Sequence, residues 1–343
     1  MSLNNKYDYI VVGQGLAGTL LTHELIDHGK KVLVIDAKLK ASASRVAAGL
    51  INPVSMKRCI PAFPDYYLKE ALNRYIELGK KLSFNFLNLK SLLRLFDSDE
   101  TKALWEEKVS DKGMDIYIKE FINKNNFTFL KDHFSSAIIE PAGFLDVISF
   151  LDYSRIYFAK KGGFLDEKFD FSLFKDSEIS YKDFKADKII FCEGFRLTEN
   201  PFFNYLPLAP TKGEVMTIKI PSKKYFDKII SKGVYILPLG NYLYTVGATY
   251  NREDISDSLT VEGQSFLKER IDNILNLEYE ILNSVAGVRP TVRDRRPLIG
   301  YHPENNRIGV FNGLGARGVL VGPYLSNQFV YSSLDTINRF KEQ

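Results

Sequence analysis

Tyr9-Ile10-Val11-Val12-Gly13-Gln14-Gly15-Leu16-Ala17-Gly18 is the stretch on which the reading of this chain turns. Its leading apolar residues suit a buried strand, and the glycine turn that follows hands over to residues at helical spacing: Leu16, Ala17, Leu20, Leu21 and Leu25. Gly29 closes that helix as a C′ residue. Lys31-Val32-Leu33-Val34-Ile35-Asp36 reads as a second buried strand. One βαβ unit implies a parallel α/β sheet. In that context the spacing Gly13-x-Gly15-x-x-Gly18 has a physical meaning. Gly13 permits the tight turn, Gly15 lets backbone approach a pyrophosphate, and Gly18 lets helix and strand pack closely. The helix N-terminus offers N–H groups and a positive dipole end to phosphates. Asp36, ending the second strand, can bind the hydroxyls of an adenosine ribose and disfavours a 2′-phosphate. The expected ligand is a dinucleotide, and the motif alone serves FAD and NAD equally.

Outward from this unit, the chain of 343 residues has length enough for two domains. Hydrophobic residues at 45% and charged residues at 26% exclude a mainly disordered, collagen-like or coiled-coil chain. The net charge of +4 is spread along the chain and argues for neither nucleic acid nor membrane as partner. Cys59 and Cys192 have no CxxC partner, and the four histidines are scattered, so no metal site is expected. The start, MSLNNKYDYIVV, has no apolar signal region behind a basic stretch, and no apolar run reaches the roughly 18 residues of a membrane span. A cytoplasmic protein is expected.

Further elements follow from pattern. Leu68, Ala71, Leu72, Tyr75 and Ile76 mark an amphipathic helix over 65–79, with Asp65 placed to cap it. Helices are expected over 144–159, 261–275 and 318–332, and strands over 188–192 and 307–312. Two β runs, 234–239 and 242–248, flank the turn pair Gly240-Asn241, and Pro238 marks an irregular or edge position. Residues 84–134, rich in Lys, Asn and Phe, show no assignable period. With no repeat or linker, the two domains are expected to interleave.

The segment 40–50 follows the ribose-binding strand with small and hydroxyl side chains. Ser44 can reach a phosphate or a ribityl group; the competing reading is a loop that is merely rich in small residues. Seven motifs then stand in order: GxGxxG, ASxxAAG at 43–49, CEG at 192–194, PTKGE at 210–214, YILP at 235–238 with VGATY at 246–250, AGVRPTVRDRRPLIG at 286–300, and GLGARGVLVGP at 313–323. In this order the chain resembles FAD-dependent oxidoreductases of the D-amino-acid oxidase superfamily. Glycine oxidases, sarcosine oxidases and the FAD domain of a tRNA-modifying enzyme that acts on a carboxymethylaminomethyl-uridine belong to it. The resemblance covers nearly the whole chain, least clearly at 84–134.

It implies an α/β (α+β) two-domain fold: a Rossmann-like FAD-binding domain of 1–80, 136–208 and 285–343, interleaved with a mainly antiparallel substrate domain of 81–135 and 209–284. It implies that Arg289 holds a substrate carboxylate over the flavin, since a guanidinium grips a carboxylate by two parallel hydrogen bonds and a lysine cannot. Tyr235 matches a substrate-contacting tyrosine of glycine oxidases. The alternatives are a structural arginine at a strand end and a core tyrosine. Cofactor contacts carry over to Gly13, Gly15, Leu16, Ala17, Gly18, Asp36, Ser44, Arg45, Ala48, Gly49 and Gly194, and to the loop Gly313, Gly315, Ala316, Arg317, Gly318 and Val319. The helix starting at Gly318 would aim its N-terminus at flavin N1 and O2, where reduction places negative charge. Arg317 would add a charge there, or is an exposed loop arginine; His302 reads as structural.

The departures bear on specificity. Asp36 stands where most members have Glu. Leu314 stands where His is common. Ala316 replaces a second substrate arginine of glycine oxidases, which puts glycine in doubt as substrate. No cysteine lies near the C-terminal loop, so FAD is expected to be non-covalent, and the methyltransferase domain of the tRNA enzyme is not expected. The implied activity is oxidation of the C–N bond of an amine or amino acid, with hydride passing to flavin N5 and the imine hydrolysed by water. Oxygen or another acceptor would reoxidise the flavin. Two alternatives stay open: a flavin dehydrogenase acting on a tRNA-borne or non-amine substrate, and a non-catalytic flavin-binding protein.

Overall fold

The structure is a computed structural model that describes residues 5–39, 42–111, 113–123, 127–131, 135–221 and 225–331. Lys40 and Ala41 of the expected cofactor segment, Phe134 and Ser332 lie outside the described residues. In chain order the elements that build the site are β1 (Lys6–Val12), α1 (Leu16–Asp27), β2 (Val32–Ile35), α2 (Ala43–Val46), β3 (Phe184–Phe191), β4 (Thr211–Lys219), β5 (Val234–Gly240), β6 (Leu243–Gly247), α3 (Val261–Ile274), β7 (Glu280–Arg289), β8 (Leu298–His302), β9 (Asn305–Asn312) and α4 (Gly318–Tyr331).

The first sheet runs Phe164–Leu165, β2, β1, β3, Ser180–Tyr181, Phe174–Lys175, with β9 parallel to β3 and β8 antiparallel to β9. β2, β1, β3 and β9 are mutually parallel, with Val12 beside both Ile35 and Phe191, and Phe191 beside Val310. Their carboxyl ends therefore open on one edge, which is where α/β sheets bind ligands. Ile10, Val11, Leu33, Val34, Ile189 and Ile190 are buried on both faces, as continuous apolar runs in a parallel sheet require. α1 is buried from Gly18 to Leu25 and packs on α4, where a Cβ on Gly322 would fall 2.6 Å from Leu20. Pro323 inside α4 has no N–H to give the carbonyl of Val319 four residues back; the Tyr75 hydroxyl donates to that oxygen instead, at 2.9 Å.

The second sheet runs β7, β4, β6, β5, Ile229–Lys232, Leu92–Leu95, Ser136–Ile139, Ile118–Ile122. All its pairs are antiparallel except Ile229–Lys232 with Leu92–Leu95. It is covered by α3, whose Leu267, Ile271 and Ile274 join Met216, Ile218, Ile236 and Val246 in one core.

Several expectations need correction. The expected divisions at 136 and 285 fall in strands of the second sheet: Ser136–Ile139 pairs with Leu92–Leu95, and β7 pairs with β4 from Glu280 to Arg289. Both strands lie wholly in the second sheet, so the chain leaves that sheet only after each of them ends, and nothing in composition marks those points. Residues 144–145 are strand, and the helix begins at Val147 because the Asp146 carboxylate accepts from the Ser149 N–H at 3.0 Å. Asp65 is the first helical residue rather than the cap; Pro64 precedes it, and Asp65 pairs with Lys69 at 2.7 Å. The hairpin turn is Asn241-Tyr242, both at positive φ (+50° and +64°). Of the two alternatives for Pro238, the irregular position holds and the edge does not: it lies in an interior strand at a register shift. The unassigned stretch supplies Leu87–Leu89, Leu92–Leu95, the helix Asp99–Asp111 and Ile118–Ile122.

Candidate cofactor and substrate site

A cavity of about 830 Å³ opens at the carboxyl edge of the first sheet and runs to the end of β7 in the second. Its floor is the glycine turn. Gly13 has φ +98°, and a Cβ there would lie 2.6 Å from the Cys192 carbonyl oxygen. A Cβ on Gly18 would lie 1.9 Å from the Gly13 carbonyl oxygen, so that glycine serves packing and does not line the cavity. Gly15 is different: it caps α1 without a side chain, and a Cβ there would meet only the Ser44 hydroxyl, at 3.2 Å. Leu16 and Ala17 continue this wall. The three glycines thus leave a cradle at a helix N-terminus, a site suited to phosphate.

Asp36 follows β2 directly, with its carboxylate fixed at the cavity. One carboxylate oxygen accepts the Gln14 N–H at 2.9 Å; the other accepts the Lys38 N–H at 2.7 Å and pairs with Arg155 at 3.2 Å. Arg155 lies far along the chain and had no local signal in the sequence. Ser44, on α2, accepts the Leu16 N–H at 2.9 Å, so its hydroxyl joins α2 to the start of α1. Arg45 is tied to Asp152 at 2.7 Å. Ala48 and Gly49 line the cavity; Gly49, at φ +67°, would place a Cβ 2.0 Å from the Leu145 carbonyl oxygen.

Across the cavity, Gly194 follows β3 at φ +62° and its carbonyl accepts from the Asn312 side chain at 2.9 Å. The same side chain accepts the Gly313 N–H at 2.7 Å. Gly313 therefore braces the loop from behind, against Val292 and Leu298, and does not itself line the cavity. Gly315, Ala316, Arg317, Gly318 and Val319 do. Arg317 is half-buried and not an exposed loop arginine: it donates to the Asn52 and Val54 carbonyls at 2.9 and 3.1 Å. Burial, then the nearby Arg58, lowers its pKa. Cys192 lines the cavity at the glycine floor, and burial holds its thiol protonated. Cys59 is buried elsewhere. With no ionised thiol at the C-terminal loop, acid precipitation should release all flavin and leave a colourless pellet; a yellow pellet would reveal a covalent link.

Glu193, beside Gly194, was missed by sequence reading. Burial pushes its carboxyl up to about 7, while Asn200 donates to it at 2.6 Å. The folded protein therefore holds this proton more tightly than an unfolded chain does. That stability is complete below the ordinary carboxylate range and is lost as pH rises through about 7. Glu193→Gln should remove about 3 kcal/mol from the difference in unfolding free energy between pH 5 and pH 8, measured in urea. An unchanged difference would place the charge of Glu193 in water.

The other end of the cavity carries Arg289, the last residue of β7. Its guanidinium lies over Gly213 of β4, where a Cβ would come within 2.1 Å. It donates to the Lys212 and Thr249 carbonyls, both at a long 3.4 Å. Burial lowers its pKa, and the phenols of Tyr235 and Tyr250 act against that. No carboxylate of the described residues pairs with it, so a recessed cation faces the cavity uncompensated. Tyr235 lies opposite Gly247, whose missing Cβ would fall 2.5 Å from the phenol oxygen. Burial raises its pKa to about 12, so it is a neutral phenol. Gly213, Thr249 and Tyr250 were not singled out from sequence, although all three lie within quoted motifs.

The family model described as DAO, FAD dependent oxidoreductase, matches residues 8–331. The chain belongs to this family. FAD is accordingly the cofactor of this DAO-family enzyme, and the glycine cradle, Asp36 and the C-terminal loop fit it. Membership in a family of oxidoreductases sets aside the non-catalytic reading. Glycine oxidase of Geobacillus kaustophilus strain HTA426 is 23% identical, covering 94% of this chain and 91% of that protein. The tRNA 5-methylaminomethyl-2-thiouridine biosynthesis bifunctional protein of Campylobacter jejuni subsp. doylei is 25% identical over 87% of this chain; the chain spans 46% of that relative's length. Crystalline glycine oxidase from Bacillus cereus ATCC 14579 shares the fold with a TM-score of 0.80 at 20% identity, covering 94% and 93% of the two chains. Among the described residues of this DAO-family enzyme, no helix is long and apolar enough to cross a membrane, and no cluster of three or more metal-ligating side chains occurs.

Proposed function

We propose that this enzyme oxidises the C–N bond of a small amine or amino acid that carries a carboxylate. The observation that carries the reading is Arg289, an arginine with no carboxylate partner among the described residues, at the end of the FAD cavity. Its fork can take a carboxylate through two parallel hydrogen bonds and so fix the neighbouring carbon. Tyr235 stays neutral and presents a phenol beside that carboxylate without competing for Arg289. The substrate amine reacts as the neutral form. Bound FAD supplies the two-electron acceptor, and oxygen or another acceptor takes the electrons onward.

A second reading has one observation in its favour. Ala316 is exposed at the cavity, and the guanidinium of Arg317 beside it is engaged by the Asn52 and Val54 carbonyls. That opening leaves room for a large substituent on the amine, as a glycine unit borne on a tRNA base would have. A panel of amino acids, N-substituted glycines and carboxylate-free amines, read by peroxide and by an artificial acceptor, separates the readings. Turnover of carboxylate-free amines alone would sink both.

A further inference from the structure

We propose that Lys212 is a positioning residue for carboxylate recognition: it clasps the segment 249–257 onto β4 and thereby sets the two carbonyls that hold Arg289. This rests on the reading of Arg289 as the carboxylate anchor.

Beyond β6 the chain keeps pairing with β4. Glu214 donates its N–H to the Thr249 hydroxyl at 2.8 Å, and Thr249 N–H donates to the Glu214 carbonyl at 3.1 Å. Lys212 and Asn251 then exchange backbone hydrogen bonds of 2.8 and 3.0 Å. Past Asn251 the chain turns, its side chain accepting the N–H groups of Glu253 (2.8 Å) and Asp254 (3.1 Å). Tyr250, Ile255, Ser256 and Asp257 form a wall of the cavity.

Little apolar burial holds this strap. Tyr250 is 59% exposed, Ile255 51% and Leu259 46%. Segments so poor in buried contacts open easily unless polar groups hold them. Here two neighbouring buried charged side chains of β4 hold the far half of the strap and the residues just beyond it. The Lys212 ammonium, 1% exposed, pairs with Asp254 and reaches the Ser256 hydroxyl at 3.4 Å. Glu214 accepts from the Thr260 hydroxyl at 2.6 Å, the Thr260 N–H at 3.1 Å and Gln264 at 2.8 Å. The Lys212 carbonyl accepts both Asn251 and Arg289, and the Thr249 carbonyl accepts Arg289 from the strap side. Arg289 is thus held between β4 and the strap. Its acceptors keep their spacing only while the strap is down. Asp254, with the Glu214 carboxylate 4.0 Å away, also neutralises Lys212, whereas Arg289 has no carboxylate partner among the described residues.

The test uses the FAD-loaded enzyme with acetate as the carboxylate probe, titrated against the flavin absorbance. Asp254→Asn keeps the shape and removes the clasp; Lys212→Met removes its other half; Asp254→Glu should restore it. Trypsin cleavage after Arg252, within the strap, reports detachment independently of any substrate. Asp254→Asn is expected to weaken acetate binding by about tenfold, the scale of one charge-assisted hydrogen bond, with flavin content unchanged. Cleavage after Arg252 should accelerate, and Asp254→Glu should recover both. Unchanged acetate affinity in Asp254→Asn overturns the inference, whether or not cleavage accelerates. Arg289→Lys is the separating control. If Arg289→Lys alone weakens acetate, the carboxylate reading stands and the role of Lys212 falls. If wild type and Arg289→Lys bind acetate equally, the carboxylate reading itself fails.

Discussion

Gly15→Val protein should fold and purify without flavin. Gly15 sits at φ −74°, ψ −171°, a backbone conformation that any residue adopts, so the substitution carries no strain of its own. The nearest atom to the added Cβ is the Ser44 hydroxyl at 3.2 Å, the end of a side chain that can give. The branched methyls then point into the cradle before α1, where backbone and phosphate must come into contact. Gly18 marks the contrast. A Cβ there would sit 1.9 Å from the Gly13 carbonyl, so Gly18→Val should fail to fold rather than fail to bind. Circular dichroism with the ratio of flavin to protein separates the two. A folded Gly15→Val enzyme with a full complement of FAD would move the phosphates away from this turn.

The contrast between those glycines also marks how far the sequence can be read. The βαβ unit was legible because strand period, helix period and turn residues agree within thirty residues, and local agreement of that kind needs no tertiary knowledge. The seven ordered motifs cover much of the remaining cavity wall, but not Ile255, Ser256 and Asp257. What stayed hidden depends on contacts between distant parts of the chain. Arg155 reaches Asp36 from a helix 119 residues away, and nothing around it in sequence marks it. Gly213 lies in a quoted motif, but its role appears only when β7 lays Arg289 across it. Arg317 reads equally as a charge near the flavin or as an exposed loop cation until the carbonyls of Asn52 and Val54 are seen to meet it. Strands of three to five residues between 84 and 134 are too short to show a period, and β7 crosses the expected division at 285 without a break in composition.

Arg289→Lys should lower kcat/KM for a carboxylate substrate by about ten- to a hundredfold while FAD binding is unchanged, since one charge-assisted hydrogen bond to the carboxylate is lost. Lysine keeps the charge, but a single ammonium cannot reach the positions of both guanidinium nitrogens over Gly213. The substrate carbon would then be held loosely, and misplacement of that kind slows the chemical step more than it weakens binding. Gly213→Ala is the complementary variant. Its methyl would occupy the guanidinium's place and should give a loss of the same order with Arg289 intact. Steady-state kinetics with the flavin spectrum as control checks both. A change within about twofold in both variants would make Arg289 a strand-end packing residue.

The most direct measurement mixes the oxidised enzyme, without oxygen, with an amino acid that it turns over and with the amine left when that amino acid loses its carboxylate. Loss of the flavin absorbance reports the reductive step alone, free of any question about the acceptor. The expected result is that the amino acid bleaches the flavin at least about tenfold faster than its decarboxylated counterpart, and that Arg289→Lys narrows the gap. Equal rates for the two compounds in the wild-type enzyme would contradict the assignment of Arg289 as the group that selects and places the substrate.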